Sequence, residues 1–273
     1  MKISISAWSA VDALISNKRC NLIDFIDFCL ENGVDSVELL NRFWNDDDTP
    51  EKIKAYLDQN NMKVSSYSVG GDFVGDEKYY NDSINQIKEA VDMAIFLNTD
   101  RVRIFSGVKK ENISYEEGFK LVIKGLKDCA QYAKSKNVVL CMENHGFYSG
   151  TSDLMKKIFD AVGSDALTGN PDTGNFLISE ENPASAFRNL DGYVGFVHFK
   201  DFKSSDKQAK YHSYSGIQYD GCVFGEGDVH MAEIIDILKA QGYNGFISIE
   251  YEGDDADCFD SIQKCIEYTK SII

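Results

Sequence analysis

Glu143, Asp172, His198 and Glu250 each stand at or just beyond the end of a short apolar, β-prone stretch: VVLCMEN, LTGNPDTGN, YVGFVHFKD and GFISIE. Three carboxylates and one imidazole, with no thiolate, form the donor set of a catalytic divalent-metal site rather than a structural zinc. Mn²⁺, Mg²⁺, Co²⁺ and Zn²⁺ all accept such donors and keep positions open for substrate oxygens. One ion held this way would grip a hydroxyl and an adjacent carbonyl of a polyol. It would stabilise the enediolate formed when an α-proton leaves. Glu143 and Glu250 are the expected catalytic pair, taking and returning that proton on two faces of the substrate.

Such chemistry requires the four stretches to lie side by side, and the rest of the chain is patterned for that. Strand-like segments are expected at 3–8, 34–39, 62–69, 101–105, 138–143, 167–170, 193–199 and 246–250. Amphipathic helical segments are expected at 22–31, 50–59, 79–97, 114–136, 151–162, 183–189, 231–241 and 256–271. Their ends carry recognisable signals: Asn32-Gly33 as a helix stop, Thr49-Pro50 as an N-cap with proline in the first turn, and Ser114 to Glu117 as a capping box. Eight strand–helix units imply parallel β-structure with right-handed crossovers, closed as a single-domain (β/α)8 barrel over 1–273. An open doubly wound sheet would need a glycine-rich turn after the first strand, and Ser9-Ala10-Val11-Asp12 offers none.

In a barrel of this kind the chemistry sits at the C-terminal ends of the strands. Those ends hold Trp8, Glu38, Tyr67, Gly70-Gly71, Arg103, Glu143 with Asn144 and His145, Asp172 with Asn175, His198 with Lys200, and Glu250. His145 and Lys200 lie two residues beyond a ligand, on the same strand face, and are candidates for substrate contact. His145 serves equally as support for a ligand, and Lys200 equally as a solvated loop residue in the Lys200, Lys203, Lys207, Lys210 cluster. Arg103 would hold an anionic group or pair with a neighbouring glutamate. Trp8, with Tyr67 and Phe73, would form an apolar wall beside a sugar ring or pack in the core. His212 and His230 read as surface residues, and Gly225-Glu226-Gly227-Asp228 as a structural turn without the Lys-Ser/Thr partner of a phosphate loop.

The formal net charge of -16 argues against nucleic acid or an anionic membrane surface as partner. No stretch approaches the apolar length of a membrane span, and the N-terminus lacks a signal-peptide core. Seven scattered cysteines without a CxxC pair fit a reducing cytoplasm. The expected partner is a small sugar or polyol; a homo-oligomer is compatible with the sequence.

The ordered motifs MENHG at 142–146, DTGN at 172–175, HFKD at 198–201, GEGDV at 225–229 and SIEYEG at 248–253 give the chain a resemblance to the sugar phosphate isomerase/epimerase superfamily, the xylose-isomerase-like TIM barrels. The resemblance implies one divalent metal, manganese among the choices, bound by Glu143, Asp172, His198 and Glu250, with Glu143 and Glu250 as acid and base. Members include ketose 3-epimerases, hydroxypyruvate isomerase, inosose dehydratase and endonuclease IV. Many carry a histidine three residues after the metal-binding aspartate; here Asn175 stands there, able to hydrogen-bond a substrate hydroxyl but not to titrate. Ser149 occupies the position of a glutamate found in ketose 3-epimerases. With four histidines in all, the chain lacks those of a three-metal endonuclease. The leading expectation is an isomerase or epimerase of a sugar, keto-sugar or related polyol. A dehydratase or lyase acting on an inosose or oxidised sugar is the alternative. A catalytically silent sugar-binding barrel is a third reading, against which the intact ligand set argues.

Overall fold

The computed structural model describes residues 1–255 and 257–273. Short segments buried along most of their length form the parallel strands β1 (Lys2–Ser6), β2 (Ser36–Leu40), β3 (Lys63–Ser68), β4 (Arg101–Ile104), β5 (Val139–Glu143), β6 (Leu167–Asn170) and β7 (Val197–Phe199). After an antiparallel excursion through β8 (Phe202–Ser205), β9 (Tyr211–His212) and β10 (Gln218–Gly221), the last barrel strand is β11 (Phe246–Ile249). The barrel order is β6-β5-β4-β3-β2-β1-β11-β7. Two parallel bridges, Gly169 with Val194 and Asp172 with His198, join its two edges. The eight parallel strands therefore make a nearly closed barrel wrapped by helices.

The outer layer comprises α1 (Leu22–Glu31), α2 (Pro50–Gln59), α3 (Glu77–Phe96), α4 (Tyr115–Ser135), α5 (Ser152–Val162), α6 (Thr173–Ile178), α7 (Pro183–Asn189), α8 (Met231–Ala240) and α9 (Cys258–Ile272). Full capping boxes start α1 (Asn21 with Asp24) and α4 (Ser114 with Glu117). Thr49 caps α2 ahead of Pro50, and Gly33 ends the α1 turn at φ 65°. Side-chain alternation along β5 aims Glu143 inward, and below it Cys141 and Val139 pack with Phe196 and Phe246 to plug the barrel. Opposite, the Ser4 and Ser65 hydroxyls meet at 2.6 Å.

The element pattern matches the expected one, with differences at its edges. β1 stops at Ser6 because Ala7–Ala10 tighten into a 3₁₀ turn, placing Trp8 above the strand instead of at its end. The seventh strand is confined to Val197–Phe199; the chain before it turns at Gly192, φ 80°. α3 begins at Glu77, capped by Asp76. α6 was not expected, since only six residues carry it. The last helix starts at Cys258 under an Asp257 cap, and the expected start at Ala256 lies outside the described residues. The largest departure is the segment expected as a solvated loop after β7. It folds into a three-stranded antiparallel sheet, β8-β10-β9, with Tyr219 paired to Ser204 and Tyr211.

Tyr67 and Phe73 belong to the core, not to a substrate wall. Tyr67 accepts the Trp44 indole N–H at 2.7 Å, and Phe73 is fully buried against α4. At Gly125 of α4, an added Cβ would lie 2.2 Å from Phe73 Cδ1. Gly125→Ala should therefore destabilise the barrel by about 1–3 kcal/mol through overpacking, exceeding the ~1 kcal/mol that alanine gains in helix propensity. A urea unfolding midpoint equal to or above that of the wild type would contradict this packing.

Candidate metal centre

The ends of β5, β6, β7 and β11 bring Glu143, Asp172, His198 and Glu250 together. One donor atom from each lies within 4.8 Å of the others, and all four residues are buried. His198 Nδ1 is 3.4 Å from Glu143 Oε2, 3.5 Å from Glu250 Oε2 and 3.8 Å from Asp172 Oδ2. Local chemistry fixes each ligand. Asn144 clamps the Asp172 backbone, accepting its N–H at 2.5 Å and donating to its carbonyl at 3.1 Å. Asp172 also caps α6 by accepting the Asn175 N–H at 2.9 Å, which leaves its Oδ2 for the cluster. The Asn175 side chain donates to Glu143 Oε1 at 2.8 Å.

Two permanent cations stand among these acids. Arg103 Nε lies 3.3 Å from Glu143 Oε2 and 3.9 Å from Glu38 Oε1. Lys200 Nζ lies 2.6 Å from Glu250, 3.1 Å from Asp172 and 3.4 Å from Glu252. Thr173 positions Lys200, accepting its backbone N–H at 2.8 Å and donating to its carbonyl at 2.7 Å. Burial pushes the Glu143 carboxyl up, but Arg103 and His198 outweigh it and hold the group at about 2. Glu250 is likewise held well below the usual range against burial, by Lys200 and His198. Asp172 goes the other way: its burial, reinforced by Glu143 and Glu250, prevails over Lys200 and raises it to about 7.

The residues fit a divalent cation on two grounds. His198 Nδ1 is a buried polar atom with no hydrogen-bond partner, Asp172 Oδ2 has only the Lys200 ammonium at 3.1 Å, and both belong to the cluster of donor atoms. In addition, four buried carboxylates (Glu38, Glu143, Asp172, Glu250) face two buried obligate cations (Arg103, Lys200). With all four ionised and His198 neutral, as metal binding requires, the excess is two negative charges, which a divalent ion would balance.

Above the cluster opens a cavity of about 430 Å³. Trp8, Arg103, Glu143, His145, Asn175, Lys200 and Glu250 line it, whereas Asp172 and His198 are fully buried beneath. His145 stacks on Phe105 with ring centroids 4.4 Å apart. Trp8 donates its indole N–H to Glu252 at 2.5 Å and carries the Arg42 guanidinium over its ring. Lys200 is 4 % exposed, so it is a site residue and not part of the solvated lysine cluster. Tyr211 of β9 and Tyr214 of the turn between β9 and β10 close one side of the cavity. Ser149 stays out of it, bound to the carbonyls of Glu143 and His145 and to Ser106. The Gly225-Glu226-Gly227-Asp228 turn is structural: Asp201 accepts the N–H groups of Gly225, Gly227 and Val229 at 2.9–3.1 Å.

Some of this set was legible only in part. Glu252 follows Glu250 at the alternation of a strand, a signal that could have found it. Glu38 reads as a strand-end acid but sits in the middle of β2, and no partner for it is visible in the sequence. Ser68 and Ser248, which hold Glu38, carry no sequence signal at all.

Known proteins agree with this architecture. The structure superimposes on the IOLI protein with a binding zinc atom at a TM-score of 0.82, with 17% identity, covering 100% of this chain and 98% of that one. A probable 3-DHS dehydratase, AsbF, involved in petrobactin synthesis in Bacillus anthracis, gives 0.78 at 21% identity, covering 99% of each. L-ribulose 3-epimerase gives 0.79 at 17% identity, covering 99% and 94%. In sequence, an inosose dehydratase of Clostridium tetani is 27% identical over 154 residues, 54% of this chain and 52% of that protein. The chain thus spans about half the length of that relative. An inosose dehydratase of Lacticaseibacillus casei is 21% identical over 266 residues, 91% and 88% of the two chains. Residues 26–271 match the family described as xylose isomerase-like TIM barrel; the chain belongs to that family.

Proposed function

We propose that the protein is a divalent-metal-dependent isomerase or epimerase that moves a proton next to the carbonyl of a sugar, keto-sugar or related polyol. The observation that carries this reading is the pair Glu143 and Glu250. Both line the cavity, and each places a carboxylate oxygen within 3.5 Å of the same His198 nitrogen. In this reading Glu143, Asp172, His198 and Glu250 hold the cation, which when bound supplies electrophilic stabilisation to a substrate oxygen gaining charge. Glu143 and Glu250 remove and return the proton. Arg103, Lys200, His145 and Asn175 are donors for substrate oxygens, and Trp8 with Tyr211 and Tyr214 covers the apolar face of the ring. The free thiols of all seven cysteines support a reducing cytoplasm as the setting. Among the described residues, no helix is long and apolar enough to cross a membrane.

A second reading is favoured by the curated relatives, which carry the name inosose dehydratase. The first proton transfer would be the same, but the intermediate would expel a β-hydroxyl as water instead of regaining a proton. Lys200 or His145 would then be the acid beside the leaving oxygen.

Protein purified without chelator should carry about one Mn²⁺, Mg²⁺, Co²⁺ or Zn²⁺ per chain, and the Glu143→Gln/Glu250→Gln variant should lose it; a metal-free wild type that takes up none of these ions sinks the proposal. Glu250→Gln alone should lower kcat by about 10²–10⁴, the usual loss for a general acid or base. In D₂O, deuterium appearing in recovered ketose marks proton return. A product lighter by one water marks the dehydratase. Neither outcome across ketoses and inososes would leave only a binding protein.

A further inference from the structure

Glu38 is the fourth buried acid of the cluster and the one outside the candidate ligand set, and the barrel gives it an unusual seat. The pairing of β2 with β3 slips by one residue there, Val37 opposite Val64 but Glu38 opposite Ser66. The extra residue is Ser65 of β3, so the slip resets the register of the β3 side chains against Glu38. Glu38 is 0 % exposed and lies under the ligand cluster, with its carboxylate against the back of the His198 ring. His198 Nε2 is 2.9 Å from Oε2 and 3.1 Å from Oε1. The Ser248 hydroxyl donates to Oε2 at 2.7 Å and the Ser68 hydroxyl donates to Oε1. Arg103 Nε, 3.9 Å from Oε1, supplies compensating charge.

We infer that Glu38 is the positioning residue that fixes the tautomer and orientation of His198, so that Nε2 carries the proton and Nδ1 presents its lone pair to the cation. This inference rests on the metal-site reading above. An ionised carboxylate only accepts hydrogen bonds, so the nitrogen facing it carries hydrogen. The other nitrogen is then the ligand, and it is the one atom of the ring left without a partner. Ser68 and Ser248 hold the carboxylate from both sides, and Phe196 sets its ring edge-on to the imidazole at 5.5 Å. The ring therefore has little freedom to flip. A carboxylate on the far nitrogen also raises the basicity of the ligating one, and losing such a partner typically costs about 10–100-fold in metal affinity.

The test is calorimetric titration of the full chain with Zn²⁺, beside long-range ¹⁵N spectra of the zinc-loaded protein. Glu38→Gln should weaken zinc binding by about 10–100-fold, and the wild-type spectrum should show His198 with hydrogen on Nε2 and zinc on Nδ1. If Glu38→Gln does not fold, Ser68→Ala/Ser248→Ala leaves the carboxylate present but loosely held and should still weaken binding several-fold. Gly125→Ala, which overpacks α4 against Phe73, is the control for general loosening of the barrel. It should lower the urea midpoint without moving the zinc affinity. Wild-type affinity in Glu38→Gln, or zinc on Nε2, overturns the role of Glu38 while leaving the metal site intact. A wild type that binds no zinc or other divalent ion overturns the site itself.

Discussion

Repulsion among buried carboxylates at one end of the barrel is the constraint around which this structure is arranged. Taking a carboxylate out of water costs several kcal/mol even after relaxation, and a cluster of them multiplies the cost. Among the described residues, Glu38, Glu143, Asp172 and Glu250 lie there at 3 % exposure or less, with Arg103 and Lys200 as the fixed positive charges between them. A fold does not maintain that imbalance for its own stability. It is tolerable where a cation completes the site, and the unpartnered Nδ1 of His198 lies within the same cluster of donor atoms as the carboxylates of Glu143, Asp172 and Glu250.

The surrounding architecture holds these charges apart and aimed. Asn144 spends its whole side chain on the backbone of Asp172, and Thr173 does the same for Lys200. Asp172 serves as both helix cap and candidate ligand, so the start of α6 and the cluster share one carboxylate. Asp201 braces the following loop by gathering three backbone N–H groups. Each device uses a short polar side chain against backbone, which has little rotamer freedom to lose and gives a rigid result.

The small sheet β8-β10-β9 gives the site its enclosure. It stands where barrels of this type carry their variable loops, at the C-terminal ends of the strands. Through Tyr211 and Tyr214 it adds an aromatic side to a cavity whose floor is charged. Tyr214 is 62 % exposed yet reaches the Gly146 carbonyl at 3.2 Å, spanning from the sheet to the loop after Glu143. An aromatic wall opposite paired charges suits a polyhydroxylated ring with one apolar face.

The sequence by itself determined the barrel and the four residues that converge in it. Eight apolar runs separated by capped amphipathic segments admit few other topologies, and strand alternation places Glu143, His198 and Glu250 on inward faces. The surroundings of those residues were decided only in three dimensions. Lys200 reads equally as a substrate contact and as a solvated loop residue, and the structure decides for the site by burying it against Asp172, Glu250 and Glu252. Trp8 looks like a strand end, but a 3₁₀ turn lifts it to the cavity rim. The nearest partner of Glu38 in sequence, Ser68, is 30 residues away; the others are Arg103, His198 and Ser248. Periodicity is a local property that the chain carries in its order of residues. Charge compensation depends on distances between strands far apart in sequence, which closure of the barrel alone establishes.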